Sequence, residues 1–120
     1  MLPAEFRMRR SAEFELTVRR GSRARRALLT GYLLVREDGA AQAPLVGFVV
    51  SKAVGNAVVR NKVRRRLRSV ARGYLPTLPG GSLLVVRAHP QAAAARQADL
   101  AAELDLVMGR LMRRQVGVLR

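Results

Sequence analysis

The sequence predicts an α+β fold, in which helices pack on one small sheet. Two kinds of segment support this prediction. Three stretches show the apolar spacing of amphipathic helices, at residues 11–20, 56–72 and about 96–114. Three shorter apolar runs read as strands, at residues 27–35, 45–51 and 82–87. Breaker-rich stretches such as residues 75–81 (LPTLPGG) separate these elements.

The first helix is predicted from its caps and its apolar spacing. Ser11 is a suitable N-cap, and Gly21 a suitable stop. Phe14 and Val18 are four residues apart and therefore share one face. Phe14 is either a core anchor or a surface on which a nucleic-acid base can stack. The following residues 21–26 (GSRARR) read as a basic loop.

The strand pattern predicts a mixed sheet. The runs at residues 27–35, which include Tyr32, and 45–51 are joined by a polar connection with an Asp38-Gly39 turn signal, so an antiparallel hairpin with a long loop is expected. The run at residues 82–87 is apolar without alternation, which indicates an interior strand. A strand, a helix and a strand in succession can place the two strands in parallel.

The middle helix is predicted to be apolar on one side and cationic on the other. Residues 51–72 hold eight Lys and Arg and no acid. At about 100° per residue, one stripe collects five apolar positions: Val59, Val63, Leu67, Val70 and Tyr74. The opposite side collects Arg60, Asn61, Arg64, Arg65, Arg68 and Arg72. Asn56 is a plausible N-cap and Gly73 a plausible stop.

Composition restricts the class of protein. A chain of 120 residues is expected to form one domain, and 49% hydrophobic residues suffice for a core. The net charge of +15 indicates a nucleic-acid or anionic-membrane partner. No apolar run is long enough to span a bilayer and no signal-peptide core follows the N-terminus, so a cytoplasmic protein is expected.

The sequence does not favour catalysis by the chain itself. Without cysteine, it has no thiol nucleophile and no cysteine zinc site. A metal-dependent nuclease needs clustered carboxylates, and none of the acids lies in the basic centre. His89 is the only histidine and is expected to be a strand-end turn residue. A binding subunit whose partner supplies the metal ions fits these residues better.

The run GNAVVRNKVRRRLR resembles the protein component of bacterial ribonuclease P. The matching positions are Ser51-Lys52, Gly55-Asn56-Ala57-Val58, Arg60-Asn61-Lys62, Arg64-Arg65 and Arg68. Weaker agreement covers nearly the whole chain, including Phe14 and Gly21, Tyr32 in a strand and Arg87 near the end of the last strand. The resemblance implies the element order αβββαβα, with an extra short strand near residues 26–30. It also implies a left-handed crossover through the basic helix, whereas general rules favour a right-handed one.

The resemblance also implies a division of labour. A catalytic RNA carries the active site and its Mg²⁺, and the protein assists removal of the 5′ leader from precursor tRNA. The RNA-binding residues would be Arg60, Asn61, Lys62, Arg64, Arg65, Arg68 and Arg72. A cleft between the first helix and the sheet would receive the leader through Phe14, Val18, Tyr32 and Lys52.

Four positions depart from the family pattern within the expected leader cleft. Val18 stands where an aromatic residue is usual, and Ala53 where a second lysine is common. Leu45 replaces a common arginine and Val49 a common serine. Two other classes stay open: a different RNA-binding protein, such as a ribosomal one, and a DNA-binding module that reads the major groove with its basic helix.

Overall fold

A computed structural model describes residues 2–39 and 41–119, with side chains through residue 114. The elements follow the order αβββαβα that the family resemblance implied, which is one strand more than the sequence pattern itself predicted. Their bounds are α1 Ser11–Arg20, β1 Ser22–Arg25, β2 Leu29–Val35, β3 Leu45–Val49, α2 Ala57–Arg72, β4 Ser82–Ala88 and α3 Gln97–Leu119. Among these residues, no helix has both the length and the apolar composition needed to cross a bilayer.

Strand β1 corrects the prediction of a basic loop. The stretch after Gly21 forms a strand that pairs antiparallel with β2, earlier in the chain than residues 26–30. Only Ala24 within β1 is buried, and arginines flank it on both sides. The strand therefore lacks the apolar content that identifies strands in a sequence, and pairing with β2 determines its structure.

The sheet order is β1-β2-β4-β3. The expected hairpin between β2 and β3 is wrong, because β4 lies between them, antiparallel to β2 and parallel to β3. The interior position of β4 and its parallel pairing with β3 are confirmed. Leu83, Leu84, Val85 and Val86 in β4 are almost completely buried, which explains the absence of alternation. The left-handed sense of the β3-α2-β4 crossover stays a prediction.

The two faces of the sheet carry separate apolar clusters. Helices α2 and α3 cover one face, where the larger cluster includes Leu33, Leu84 and Leu104. Gly31 permits the close approach of α3, since a Cβ there would lie 2.5 Å from Cγ1 of Val107. On the other face, α1 packs over a smaller buried cluster of Met8, Tyr32, Leu83 and Val85.

Two polar contacts tie α3 to the rest of the fold. Glu103 accepts hydrogen bonds from Nε of Arg26 at 2.9 Å and from the backbone N–H of Leu28 at 3.2 Å. Burial opposes ionisation of Glu103, but these hydrogen bonds outweigh it and lower the pKa of the carboxyl. The hydroxyl of Tyr74 donates to Asp105 at 2.9 Å; burial, together with this bond, raises the pKa of Tyr74 to about 12. Together these contacts fix α3 against the β1–β2 turn and the end of α2.

Candidate nucleic-acid interface

The start of α2 is defined by local chemistry. The Asn56 side chain accepts a hydrogen bond from the backbone N–H of Val59 at 3.0 Å, as predicted for an N-cap. Gly55 precedes it with φ of +156°, and a Cβ at this position would lie 2.9 Å from the Val59 side chain. These two residues set the direction in which the helix leaves β3, and so the direction of its cationic side.

The apolar stripe of α2 is confirmed as its anchor. Val63 and Leu67 are fully buried against the sheet and α3, and Val59, Val70 and Tyr74 are half-buried beside them. Ala71 is also buried, which the stripe did not include. A helix fixed along one side in this way presents the opposite side as a rigid surface.

The cationic side of α2 has no acidic neighbour among the residues that the structure describes. Asn61, Lys62, Arg65 and Arg72 are exposed, and none of the ion pairs in that part of the chain involves α2. An open groove of about 850 Å³ follows this side. It is lined by Asn61, Lys62, Arg64, Arg65, Arg66, Arg68, Ser69 and Gln97. We call it the α2 groove. Its charge is available for an external anion.

Four arginines of α2 are only partly exposed: Arg60, Arg64, Arg66 and Arg68. Nε of Arg60 and Nε of Arg68 are buried and have no hydrogen-bond partner. Burial lowers the pKa of Arg68, and the positive charges of Arg7 and Arg64 lower it further. Arg66 is structural, since it donates to the carbonyl of Ala95 at 2.7 Å. Of the arginines that the helix pattern places on the cationic side, Arg60, Arg64 and Arg68 are therefore half-buried, and only Arg65 and Arg72 are fully exposed.

The N-terminal segment adds two cations to this region. Arg7 pairs with Val46 as an isolated bridge along β3, and the N–H of Met8 donates to the carbonyl of Val46 at 2.9 Å. Arg7 and Arg9 then line a groove of about 260 Å³ with Arg64, Arg68 and the ring of Phe14. No local sequence pattern places these N-terminal arginines, because one backbone bridge to β3 fixes their position.

The structure brings together two of the four predicted leader-cleft residues. Phe14 and Tyr32 belong to the same apolar cluster on the α1 face of the sheet, and Tyr32 is 7% exposed. The Phe14 ring lies on Gly47, where a Cβ would be 2.4 Å from its Cζ. The Phe14 ring therefore packs as a core anchor, and it also lines an open groove, so its use as a stacking surface stays a prediction.

The other two predicted cleft residues lie at the surface. Val18 is 44% exposed on α1, and Lys52 is exposed just beyond the end of β3. Leu45 and Val49 pack against the same cluster as Phe14 and Tyr32. These two departures from the family pattern therefore make this face more apolar. We call the surface formed by Phe14, Tyr32 and their neighbours the α1 cleft.

Three carboxylates of α3 are used in structural contacts. Within the part of the chain that the structure describes, no three His, Cys, Asp or Glu side chains are close enough to hold a metal ion. Glu103 and Asp105 have the partners given above, and Asp99 accepts from the backbone N–H of Arg96. This donor set does not fit Mg²⁺, which prefers carboxylate oxygens in octahedral geometry.

The fold and these surfaces define a polyanion-binding protein: a rigid α+β scaffold with an acid-free cationic helix beside a partly aromatic cleft. The chain matches the ribonuclease P family over residues 2–112 and belongs to it. It is 54% identical over 105 residues to the ribonuclease P protein component of Nocardioides sp.. The aligned region covers 88% of this chain and 90% of that protein. It is 47% identical to that of Acidothermus cellulolyticus, covering 92% of each chain.

Solved structures share the fold. The Staphylococcus aureus RNase P protein superposes with a TM-score of 0.77, at 22% identity, and covers 87% of this chain and 93% of that one. The Thermotoga maritima RNase P protein gives a TM-score of 0.70 at 21% identity, over 89% and 96% of the two chains. At this level of identity the likeness shows the fold alone. The family resemblance inferred from the basic helix is confirmed by the sequence relatives.

Proposed function

We propose that the chain is the protein subunit of ribonuclease P, which binds the catalytic RNA through α2 and the 5′ leader of precursor tRNA in the α1 cleft. Family membership supports the subunit role. The observation that supports the RNA contact is the acid-free α2 groove, beside which Nε of Arg60 and of Arg68 are buried without partners. A buried donor without an acceptor destabilises the free protein, so an RNA phosphate or 2′-hydroxyl that accepts from it adds binding free energy.

Arginine chemistry suits this contact. Guanidinium groups form paired hydrogen bonds to phosphate oxygens, and each phosphate that is neutralised releases counterions. Asn61 is exposed beside them and can bond a base edge or a 2′-hydroxyl. The proposed RNA-binding residues remain Arg60, Asn61, Lys62, Arg64, Arg65, Arg68 and Arg72. Arg7 and Arg9 extend the same surface.

The α1 cleft suits a single strand better than a duplex. Phe14 and Tyr32 provide an aromatic and apolar floor, and arginines of α2 and of the N-terminal segment lie at one end of it. Stacking of bases on aromatic rings tolerates any sequence and contributes roughly 1–3 kcal/mol per base. Val18 and Lys52 would contact the leader at the exposed rim. These features support a leader site that reads the backbone and base faces more than base identity.

Chemistry is assigned to the RNA partner. The described residues offer no acidic cluster that could hold Mg²⁺, and we propose that the metal ions are held by the RNA subunit and the substrate. The protein contributes positive charge that brings two polyanions together and holds the leader in place. The expected compartment is the cytoplasm, where precursor tRNA is processed in a bacterial cell.

Competition binding tests the proposed RNA partner. The protein is titrated against labelled ribonuclease P RNA at fixed salt, with ribosomal RNA and duplex DNA as competitors. We expect ribonuclease P RNA to be preferred and Arg60→Ala to weaken its binding, while Arg20→Ala, an exposed charge that lines no groove described above, has little effect. Equal binding of duplex DNA would support the DNA-binding alternative, and a preference for ribosomal RNA would support the ribosomal one.

A further inference from the structure

A second cationic surface lies at the edge of the sheet, away from α2. One groove of about 310 Å³ is lined by Arg23 and Arg25 of β1, Arg87 of β4 and residues between them, including Thr30 and Tyr32. A second groove of about 770 Å³ is lined by Arg25 and Arg110. Both grooves share Arg25, His89 and Pro90, so they are continuous. We call this surface the β1 tract.

Strand register places the charges of the β1 tract in a row. Arg25 is opposite Thr30, and Thr30 is opposite Arg87, so the two arginines flank one threonine across three strands. Adjacent strands are about 5 Å apart, which puts the two arginine Cα atoms about 10 Å apart. Like charges this close on one face of a sheet are unfavourable without a counter-charge. A phosphate above Thr30 would lie between them.

No acid balances this charge. Neither groove is lined by Asp or Glu. Within the described residues, the side chains of Arg23, Arg25, Arg87 and Arg110 are exposed and form no ion pair. Arg26 differs, because Glu103 neutralises it. Arg114 adds a further cation by donating to the backbone carbonyl of Arg23.

The polar groups in the floor of the β1 tract already have hydrogen-bond partners, so the arginines are left as its binding groups. Nδ1 of His89 lies 3.1 Å from the carbonyl of Ala27, which can only accept, so Nδ1 carries the proton. Nε2 forms a hydrogen bond with the hydroxyl of Thr30, at 2.8 Å, so both ring nitrogens have polar partners. These bonds hold the β1–β2 turn against the end of β4. The exposed arginines can bond phosphate oxygens, which every nucleotide carries whatever its base.

The position of the tract identifies its occupant. Tyr32 lies in the α1 cleft and also lines the first groove of the tract, whereas no residue of α2 lines either groove. A single strand in the cleft can therefore continue over Tyr32 towards β1 without crossing the α2 surface. We propose that the β1 tract binds phosphates of the distal leader, 5′ of the nucleotides held by Phe14 and Tyr32, without sequence preference. This inference rests on the proposed function.

Leader length tests the proposal in the reconstituted holoenzyme. Precursor tRNAs are prepared with a short leader that ends within the α1 cleft and with long leaders of several sequences that pass it. For the unmodified protein, we expect the long leaders to bind more tightly, to a similar extent for each sequence. The R23A/R25A variant should lose this gain, roughly two- to thirty-fold in Kd for two exposed charge contacts. For this variant, the slope of log K against log salt concentration should become shallower by about 1.4 with long leaders and should not change with short ones.

Two further variants sharpen the result. R87A removes a charge from a different strand of the same row and should reduce the same gain, and R20A should leave it intact. Two results would overturn the β1 assignment. One is that the R23A/R25A and R87A variants lose the same affinity for short and long leaders, and the other is that they bind ribonuclease P RNA more weakly in the absence of precursor tRNA. Failure of the unmodified protein to bind any precursor tRNA in the holoenzyme would instead refute the proposed function.

Discussion

The two sides of α2 make opposite predictions for stability and for RNA binding. Leu67 is 0% exposed in the larger cluster, so Leu67→Ala leaves a cavity between α2, the sheet and α3. Substitutions of this kind destabilise by about 2–5 kcal/mol. We expect about 3 kcal/mol, which lowers the melting temperature by about 12 °C in a chain of this size.

Arg65 is exposed on the other side of the same helix, and it lines the α2 groove. Arg65→Ala should change the free energy of unfolding by less than about 0.5 kcal/mol. It should reduce the dependence of log K on log salt for ribonuclease P RNA by about 0.7–0.9, the value for one phosphate contact.

Urea unfolding followed by circular dichroism measures the first effect, and filter binding across a salt series the second. Leu106→Ala is a matched control, because Leu106 is exposed on α3 and its truncation should be nearly neutral. If Leu67→Ala left stability unchanged while Arg65→Ala unfolded the chain, the facing of α2 would be the reverse of that described.

Three further predictions concern other contacts. Arg68→Met removes a buried Nε that has no hydrogen-bond partner, so it should stabilise the free protein by about 1 kcal/mol. The same substitution should weaken RNA binding. A loss of stability in thermal melts would argue against this reasoning. Gly47→Ala places a Cβ 2.4 Å from the Phe14 ring, so urea titration should show that the free energy of unfolding falls by about 1–3 kcal/mol. Adding Phe14→Leu should recover part of this loss. If the losses of the two substitutions simply added, the contact would be contradicted. The lowered pKa of Glu103 means that its contribution is present above the unfolded-state pKa and is lost as pH falls through the folded-state pKa. Glu103→Gln should therefore destabilise by about 1–2 kcal/mol at neutral pH and much less in acid; a pH-independent difference between the two urea curves would refute it.

The sequence predicted helices and long strands because their patterns are local. The stripe through Val63 and Leu67 and the Asn56 cap define α2 within a few turns of chain. The unbroken apolar run of β4 placed that strand inside the sheet. Strand β1 was missed because it alternates arginine with a single buried alanine, Ala24, and its pairing with β2 determines its structure.

Contacts distant in the chain account for the other differences. The hairpin expectation assumed that β2 and β3, as successive strands, pair with each other, whereas the crossover through α2 inserts β4 between them. In the candidate site, the cationic side of α2 was predictable from spacing, but the burial of Nε in Arg60 and Arg68 was not. The grooves at Arg7 and at β1 likewise required the sheet register, which no local pattern reports.

Reconstituted cleavage of precursor tRNA at low Mg²⁺ tests the central claim most directly. The protein is purified free of nucleic acid and assayed alone, with ribonuclease P RNA, and beside the RNA alone. We predict no cleavage by the protein alone and little by the RNA alone, but removal of the 5′ leader when the two are combined. Cleavage by the RNA-free protein, or no gain when protein joins the RNA, would contradict the assignment of binding to the protein and chemistry to the RNA.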